Sequence, residues 1–579
     1  MKNILQKIGW FIKQEWKTYL GMFFLLLLIS FISLTPAYVL GLAIDNIISG
    51  NLNWSNFFWL IAGLILLPLF RYCMSFIYNI LINKEAQKLA FQLRHKYLDH
   101  LFEMDSKFYE KYTKGDLISR VTADLEQLTI AATSLLEGII FNIGIIIFAI
   151  TIMSVSISWK LTIIAVSIMP IALTIFNFIR FQKRKYYKIH QEIYANMTEK
   201  VLESVEGQKT IRAYTQEEND LKKQNEAIMA DINSWKYIVN FENWFNPLFE
   251  IVYGIAYILA FAFGVFFIIN QEITLGQLII FVSYIGMLYA PIIAVSTVFQ
   301  QINNATISAD RIDEIMKQTA EVFDDVEAKE IMEFKEIEFK DVTFKYPFDS
   351  FAVLKNISFT IKAGQTIGIV GPTGAGKSTL IRQLLRQFKT TKGQIFIDGI
   401  SIEKFKIEDV HNLVGYVPQA HMLFKRSVDA NIMLGNPKAT NKDLDKAVRI
   451  ADFNKDILFL HDGLNTMVEE AGTSLSGGQK QRLSIARALI KDPQILIMDD
   501  SLSAVDAKTE DNIIEQLKLF RKGKTNIIVT HRFSAIYDAN IIYVIENGTI
   551  SQQGTHQELL KQEGWYKAQY IQQITMNEK

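Results

Sequence analysis

The sequence predicts two halves of different fold class: a membrane bundle of six α-helices with long cytoplasmic extensions, and a C-terminal α/β domain. Of the 579 residues, 50% are hydrophobic and 21% are charged. The hydrophobic share is too high for an ordinary soluble enzyme, and the charged share is too high for a chain wholly embedded in a membrane. The long apolar runs all precede residue 300, and the motifs of an α/β domain follow them.

The charge balance and the cysteine content limit the classes of function. Lys plus Arg and Asp plus Glu both number 60, so the formal net charge is zero and no nucleic-acid partner is expected. The single cysteine, Cys73, excludes a disulfide framework within the chain. The N-terminal stretch has basic residues and then a long apolar run without a small-residue cleavage site, so we predict a helical anchor and not a removable signal peptide.

Six segments are long and apolar enough to cross a bilayer, which takes about 20 residues in a helix. They are 18–44, 54–82, 135–158, 161–179, 245–270 and 275–298. The connections 84–120 and 180–236 are rich in Lys and Arg, whereas the other connections carry few basic residues. Because basic connections stay in the cytoplasm, we predict a multi-pass protein of the plasma membrane with both termini cytoplasmic.

The two basic connections are too long for simple loops, and their apolar residues have helical spacing. We expect the membrane helices to continue into the cytoplasm and to turn near 109–115 and 207–214. The alternative is a pair of separate soluble helical hairpins. It is disfavoured because no helix-breaking residues separate these stretches from the spans.

The predicted domain order is a transmembrane domain over 1–310, an acidic linker over 311–333 and an α/β domain over 334–579. Strand-like alternation in IEFKDVTFKY precedes TIGIVGPTGAGKSTLIRQLL, which is typical of an apolar strand, a glycine-rich loop and a helix. Gly371, Gly376, Lys377 and Ser378 match the pattern G-x-x-x-x-G-K-[ST]. In such a loop, backbone N–H groups face phosphates, the lysine reaches the β- and γ-phosphates, and the serine hydroxyl can bind Mg²⁺. A nucleotide site is therefore predicted.

Two further stretches fit nucleotide chemistry. ILIMDD is an apolar strand that ends in Asp499 and Asp500, and Asp499 is expected as the second Mg²⁺ partner. TSLSGGQKQRLSIARALI places Ser476 and two glycines before a basic helix, as in a second phosphate-facing helix N-terminus. One chain cannot easily direct both loops at one γ-phosphate. A second copy of the domain, facing the first, would solve that geometry.

The order GPTGAGKST, YVPQ, LSGGQ, ILIMDD, SAVD and VTHR resembles the nucleotide-binding domain of ATP-binding cassette (ABC) proteins, which are P-loop ATPases. With six preceding spans, the chain resembles a half-transporter of the type IV exporter group, the bacterial multidrug-exporter kind, over essentially its whole length. The resemblance implies ATP and Mg²⁺ as cofactors, ATPase-coupled export, and a small hydrophobic or amphipathic substrate. It also implies a second half-transporter as partner.

The resemblance assigns roles to individual residues. Tyr346 would stack on adenine, and His531 would contact the γ-phosphate. Asp506 would lie in the loop that couples the two ATP sites, and the cytoplasmic turns would be coupling helices resting on the nucleotide-binding domains. The phosphates would be wrapped by Gly371, Pro372, Thr373, Gly374, Ala375, Gly376, Lys377, Ser378 and Thr379. The metal would be held by Ser378, Gln419 and Asp499, and the partner's ATP would be contacted by Ser476, Gly477, Gly478 and Gln479.

One residue departs from the family pattern. The residue after the Mg²⁺ aspartate is usually Glu, acting as general base or water positioner, and here it is Asp500, one methylene shorter. Misplacing a catalytic group by about 1 Å can cost roughly 10²-fold in rate, so ATP should be bound but slowly hydrolysed. The family contains heterodimeric exporters whose two ATP sites differ. An impaired base beside an intact LSGGQ resembles one side of such a heterodimer.

Three alternatives remain open at this point. The chain could form a homodimer in which Asp500 works adequately. It could export lipid or peptide. It could also belong to an ABC-type channel or channel regulator, which would use the same ATP-driven dimerisation but conduct passively. The channel is disfavoured because the predicted spans show no obvious stripe of charges.

Overall fold

The structure is a computed structural model that describes residues 2–50, 53–325, 327–469, 472, 475–503 and 506–577. The chain divides into two compact units. The first comprises Met1–His100 and Gly115–Lys317, and the second comprises Leu101–Lys114 and Gln318–Lys579. The second unit thus includes a short segment from the helical half of the sequence. The domain limits at 310 and 333 stay predictions.

The described part of the helical half consists of long α-helices joined by short turns. In chain order they are α1 (Lys2–Gln14), α2 (Trp16–Ile48), α3 (Trp54–Glu103), α4 (Ser106–Lys111), α5 (Lys114–Ser119), α6 (Leu125–Leu135), α7 (Asn142–Ile152), α8 (Trp159–Val166), α9 (Ile168–Glu206), α10 (Gln208–Ala213), α11 (Glu217–Ile269) and α12 (Leu275–Met316). π-Helical turns at Arg120–Asp124 and Leu136–Phe141 connect α5, α6 and α7 into one run, and a third at Met153–Ser158 follows α7.

Five helices in the described ranges are long and apolar enough to cross a membrane: Trp16–Ile48, Trp54–Glu103, Lys114–Pro170, Glu250–Ile269 and Leu275–Met316. They overlap all six predicted spans, because Lys114–Pro170 covers 135–158 and extends into 161–179. The span 161–179 falls on α8 and the beginning of α9, where the side chains of 171–173 and 175–180 lie outside the described residues. A new helix does begin at its predicted start, because Ser158 is extended (φ −161°, ψ 120°) and its hydroxyl accepts from the Leu161 N–H.

The membrane helices continue beyond the bilayer, as the sequence predicts. α3 has 50 residues and α11 has 53. At 1.5 Å per residue each is about 75–80 Å long, more than twice the ~30 Å hydrocarbon core. The alternative of separate soluble hairpins is therefore wrong. The short helices α4 and α10 occupy the two predicted turns, and the first turn begins a few residues earlier than expected, after Glu103.

A buried ionic network joins the beginning of the α5–α6 run to the end of α12. The Arg120 guanidinium, 5% exposed, donates to Asp116 at 2.9 Å and to Glu314 at 3.2 Å. Arg311 donates to the other oxygen of Asp116 at 2.8 Å and pairs with buried Asp124 at 3.0 Å. The network compensates charges that would otherwise be costly to bury.

The second unit contains two sheets. Its strands are β1 (Glu336–Phe344), β2 (Leu354–Lys362), β3 (Thr366–Val370), β4 (Lys392–Ile397), β5 (Ile400–Ser401), β6 (Val414–Val417), β7 (Ile495–Asp499), β8 (Thr525–Val529), β9 (Ile541–Glu546) and β10 (Thr549–Gly554). The antiparallel sheet has the order β2-β1-β4-β5, and the larger sheet has the order β10-β9-β3-β8-β7-β6. In the larger sheet, β9, β3, β8, β7 and β6 run parallel, and β10 forms an antiparallel edge.

Helices cover the larger sheet and complete two apolar cores. They are α13 (Lys377–Leu384), α14 (Ile407–Leu413), α15 (Val428–Met433), α16 (Asn441–Ile450), α17 (Asn454–Ile457), α18 (Gly477–Leu489), α19 (Ala507–Phe520), α20 (His556–Lys561) and α21 (Trp565–Asn577). One core lies around α13, the antiparallel sheet and one face of the larger sheet, and the other lies among α15, α16, α18 and α19. The residues of β7 are all buried, which explains the continuous apolar run of a central parallel strand.

The ionic network gives a stability prediction. Arg120→Ala should lower the free energy of unfolding by about 2 kcal/mol, because the buried hydrogen bonds from Arg120 to Asp116 and Glu314 are lost, although Arg311 still pairs with Asp116. The matched control is Lys160→Ala, whose partner Glu272 lies at 3.1 Å in an exposed pair, and it should cost about 1 kcal/mol or less. Thermal unfolding in detergent checks both variants. Equal shifts of the melting temperature would contradict the importance of the network.

Candidate functional site

Parallel pairing brings the ends of four strands to one edge of the larger sheet. Ile369 of β3 pairs with Val529 of β8, and Val529 pairs with Asp499 of β7. Because carboxyl ends of parallel strands meet at the same edge, the residues that follow them lie together. They are the glycine-rich loop after β3, His531 after β8, Asp500 after β7 and Gln419 after β6.

The glycine-rich loop has a backbone that only glycine adopts easily. Gly371, Gly374 and Gly376 have φ of +148°, +82° and +103°. A Cβ on Gly371 would lie 2.0 Å from the Ile545 carbonyl oxygen, whereas a Cβ on Gly374 would meet nothing within 4 Å. The loop leads directly into α13, whose first residue is Lys377. Backbone N–H groups at a helix N-terminus favour an anion, so a phosphate would be stabilised at this position.

Lys377 lies inside this loop. Its Nζ donates to the carbonyl oxygens of Gly371 at 2.8 Å and Pro372 at 2.9 Å, and the residue is 8% exposed. Burial lowers the pKa of Lys377, although the negative charges of Asp500 and Asp499 oppose the shift. The loop thus holds the Lys377 ammonium group, and a phosphate would be bound by the same loop.

Ser378 and Asp499 form a pair of oxygen ligands beside Lys377. The Ser378 hydroxyl donates to Asp499 Oδ1 at 3.0 Å. Burial raises the pKa of Asp499 above its usual value, and the hydrogen bond from Ser378 partly opposes this. In the described part of the chain, no group of three or more His, Cys, Asp or Glu could hold a metal. A hydroxyl and one carboxylate nevertheless fit Mg²⁺, because this cation usually takes one or two carboxylates plus phosphates and water.

Asp500 and His531 face Lys377 from the neighbouring strand ends. Asp500 has a left-handed backbone (φ +47°), and its N–H donates to the Val529 carbonyl at 2.8 Å. Desolvation and the positive charge of Lys377 lower the pKa of His531, and the Asp500 carboxylate opposes that shift. His531 is therefore neutral near pH 7. Lys377, Asp499, Asp500 and His531 form one electrostatically connected group.

Tyr346 lies against the same helix and leads to a residue that the motifs did not single out. Its hydroxyl lies 3.1 Å from Thr379 Oγ1 and accepts from Arg382 Nη1 at 3.1 Å. Arg382 is also 4.0 Å from Glu110 of α4. Next to α4, the Asp105 carboxylate accepts from the Glu321 N–H at 2.7 Å. These contacts agree with the prediction that the first cytoplasmic turn rests on the nucleotide-binding domain.

The LSGGQ residues lie at the N-terminus of α18. Ser476 Oγ accepts from the Gln479 N–H at 3.3 Å, and Gln479 Oε1 accepts from the Ser476 N–H at 2.9 Å. Asp506 similarly caps α19 by accepting from the Thr509 N–H at 3.0 Å, and this bond lowers the pKa of Asp506. No hydrogen bond within the described ranges connects 476–479 with 371–379. The structure does not bring these two groups together within the chain.

A second residue outside the motifs holds the His531 segment. Gln573 of α21 accepts from the Phe533 N–H at 3.2 Å and donates to the His531 carbonyl at 3.4 Å. The Phe533 ring packs edge-on against Tyr566, with centroids 4.9 Å apart. The C-terminal helix thus fixes the backbone around His531. A single sequence carries no signal for this contact, because Gln573 belongs to no local motif.

Comparison with known families agrees with the fold. Residues 19–292 match the family described as ABC transporter transmembrane region, and residues 354–503 match the family described as ABC transporter. The chain belongs to the ABC transporter family and is an ATPase-coupled transporter. The predicted fold class, a helical membrane domain followed by an ABC ATPase domain, is confirmed.

Two similar bacterial proteins match the chain nearly end to end. The chain is 39% identical to the probable multidrug resistance ABC transporter ATP-binding/permease protein YheI of Bacillus subtilis, over 99% of this chain and 98% of that protein. It is 31% identical to the multidrug resistance-like ATP-binding protein MdlA of Escherichia coli, over 98% and 96%. A solved bacterial Atm1-family ABC exporter with ATP bound has the same fold, with a TM-score of 0.83 at 24% identity over 96% of this chain and 99% of that one.

The two glycines with different surroundings give a prediction about nucleotide binding. Gly371→Ala should abolish measurable binding of a fluorescent ATP analogue, because its Cβ would overlap the Ile545 carbonyl and displace the loop. Gly374→Ala meets no neighbour, so it should cost only the left-handed backbone strain of about 1–2 kcal/mol and weaken binding by roughly 5–30-fold at most. Fluorescence titration of both purified variants checks the order. Equal losses would contradict the geometric argument.

Proposed function

We propose that this chain is one subunit of a heterodimeric exporter that uses ATP to move small hydrophobic or amphipathic compounds across the bacterial plasma membrane. The observation that carries the heterodimer is Asp500, the shorter acid at the position of the general base, beside a complete LSGGQ in the same chain. The multidrug names of the similar proteins support the substrate class.

ATP with Mg²⁺ would be bound by the residues around the glycine-rich loop. The loop N–H groups and the Lys377 ammonium would stabilise the phosphates. Ser378 and Asp499, already 3.0 Å apart, would hold the metal, with Gln419 as a further oxygen ligand. The metal held by these residues would supply positive charge that stabilises the charge developing on the phosphates. Tyr346, on the face of α13, would contact the adenine.

Hydrolysis at this site would be slow because Asp500 places its carboxylate one methylene short of the usual position. A general base must lie within about 2.6–3.2 Å of the attacking water. The Asp500 backbone cannot easily advance to compensate, since its N–H is bonded to Val529 and its carbonyl accepts from Ser503 Oγ at 3.0 Å. The neutral His531 would donate to the γ-phosphate and would not replace the missing base.

The LSGGQ residues would serve the partner's site. Ser476 and Gly477 are exposed at the N-terminus of α18, where a phosphate of the facing domain would be favoured by the helix dipole. Gly478 and Gln479 continue this first turn, and Asp506 would connect the two sites. Closure of the domains around two ATP molecules would be transmitted through α4 and α10, and hydrolysis at the partner's competent site would reset the pair. Both termini would lie in the cytoplasm.

The heterodimer is tested by purifying the chain alone and together with a half-transporter from the same genome that has Glu after its Mg²⁺ aspartate and an altered LSGGQ. We expect little ATPase activity from the chain alone and at least tenfold more from the pair. Robust turnover by the chain alone, at the rate of the pair, would sink the heterodimer and favour a homodimer.

The same preparations in proteoliposomes test the substrate class. With ATP, we expect accumulation of an amphipathic dye and not of a labelled lipid or a peptide. Transport restricted to lipid or peptide would assign the alternative exporter class. Passive ion conductance without ATP-driven accumulation would assign the channel class.

Asp500→Glu in the pair tests the slow site directly. It should raise ATP hydrolysis at this chain's site, because the longer side chain reaches the attacking water. The readout is single-turnover hydrolysis with the partner's general base changed from Glu to Gln, so that only this site can turn over. Lys377→Ala is the control and should abolish ATP binding at this site. No increase with Asp500→Glu would show that side-chain length is not what limits hydrolysis.

A further inference from the structure

A cavity of about 190 Å³ lies in the second unit between the larger sheet and α19, away from the glycine-rich loop. Its floor is apolar and consists of buried side chains from β7, β8, α19 and the turn after β7: Leu496, Met498, Leu502, Ile514, Leu517 and Ile528. The volume exceeds the ~150 Å³ of an apolar cavity that accepts benzene. The cavity can therefore take one aromatic ring.

The rim of the cavity is positively charged. It carries Lys518, Lys522 and Lys524, with Asp538 as the acid among the rim side chains. Asp538 pairs with Lys518, and Lys524 pairs with Asp492 at 2.7 Å. Lys522 is exposed, and no ion pair with it occurs in the part of the chain that the structure describes. An apolar floor below an available ammonium complements a ligand with an apolar body and a negative head.

We propose that this cavity binds a small aromatic carboxylate of about the size of benzoate. Its ring contacts the apolar floor, and its carboxylate pairs with Lys522 at the rim. Neutral molecules of the same shape lose the ion pair. The proposal concerns this chain alone and does not depend on the identity of the partner.

Binding in the cavity affects the ATP site because the same segments line both. Met498 and Leu502 flank Asp499 and Asp500 in the sequence, and Ile514 lies on the helix that Asp506 caps. Across the cavity, the rim residue Ser534 donates to Glu510 of α19 at 2.6 Å.

An occupant therefore contacts the segments that carry Asp500, Asp506 and His531. A ligand that favours one arrangement of these segments changes ATP affinity, and ATP changes the affinity of the ligand by the same factor.

Calorimetric titration of the detergent-solubilised full chain with benzoate tests the site, with benzyl alcohol as the uncharged probe of similar shape. We expect saturable binding of benzoate and roughly threefold weaker binding of benzyl alcohol, the size of effect that an exposed ion pair supplies. Lys522→Gln should remove this preference. Lys561→Gln, an exposed lysine of α20 outside the cavity, should leave it unchanged.

Ala535→Leu fills the cavity from its wall and should abolish binding of both probes, while a melting curve confirms that the variant is folded. A fluorescent ATP analogue, titrated with and without benzoate, should show a changed affinity in the parent chain and no change in Ala535→Leu. Absence of saturable benzoate binding, binding that survives Ala535→Leu, or a preference for benzoate that persists in Lys522→Gln would overturn the proposal.

Discussion

The chemistry of this transporter depends on the parallel alignment of β3, β8, β7 and β6. Each strand contributes one group at its carboxyl end, and the register fixes which groups become neighbours. A slip of β7 by one residue would exchange Asp499 and Asp500 and turn the metal ligand away from Ser378. The buried apolar residues of β7 prevent this slip, because their packing on both faces of the sheet specifies the register. The site is thus stabilised by the core and not by its own charges.

Lys377 and Asp499 are both buried at this edge of the sheet. Burial disfavours the charged form of each residue, so it lowers the pKa of Lys377 and raises the pKa of Asp499. Among the residues that the structure describes, carbonyl dipoles hold the Lys377 ammonium and no carboxylate forms a direct salt bridge with it. This arrangement leaves the positive charge available to a polyanion, since no carboxylate has to be displaced first. The loop thus keeps the Lys377 ammonium available to a phosphate, and burying this charge lowers the folding stability.

Local motifs carried most of what could be predicted from the sequence. The glycine-rich loop, Lys377 and Ser378 lie within one contiguous strand, loop and helix, so spacing alone predicts their geometry. The contacts of Arg382 with Glu110 and of Gln573 with His531 connect distant parts of the chain. Such pairs leave no periodic or spaced pattern in a single sequence, and only the folded structure reveals them.

In the membrane half, too, some features could be predicted from the sequence and others depend on packing. Length and apolarity predicted the spans and their continuation beyond the bilayer, because the hydrophobic effect acts on average composition over many residues. The ionic network around Arg120 was not predicted, since a charged residue in a cytoplasmic extension is usually a solvated one. Its burial depends on the crossing of the α5–α6 run with α12, which is a property of packing.

The first turn of α18 has a consequence for how two subunits recognise each other. Ser476 and Gln479 already satisfy each other's backbone N–H groups in a reciprocal capping box. A phosphate that arrives from a facing domain would therefore exchange one set of hydrogen bonds for another, with little net gain per bond. On these grounds the geometry of approach, and not the number of bonds formed, would decide which partner's nucleotide is accepted. The LSGGQ turn would then discriminate between partners by how their domains align with it, and it would contribute little binding energy of its own.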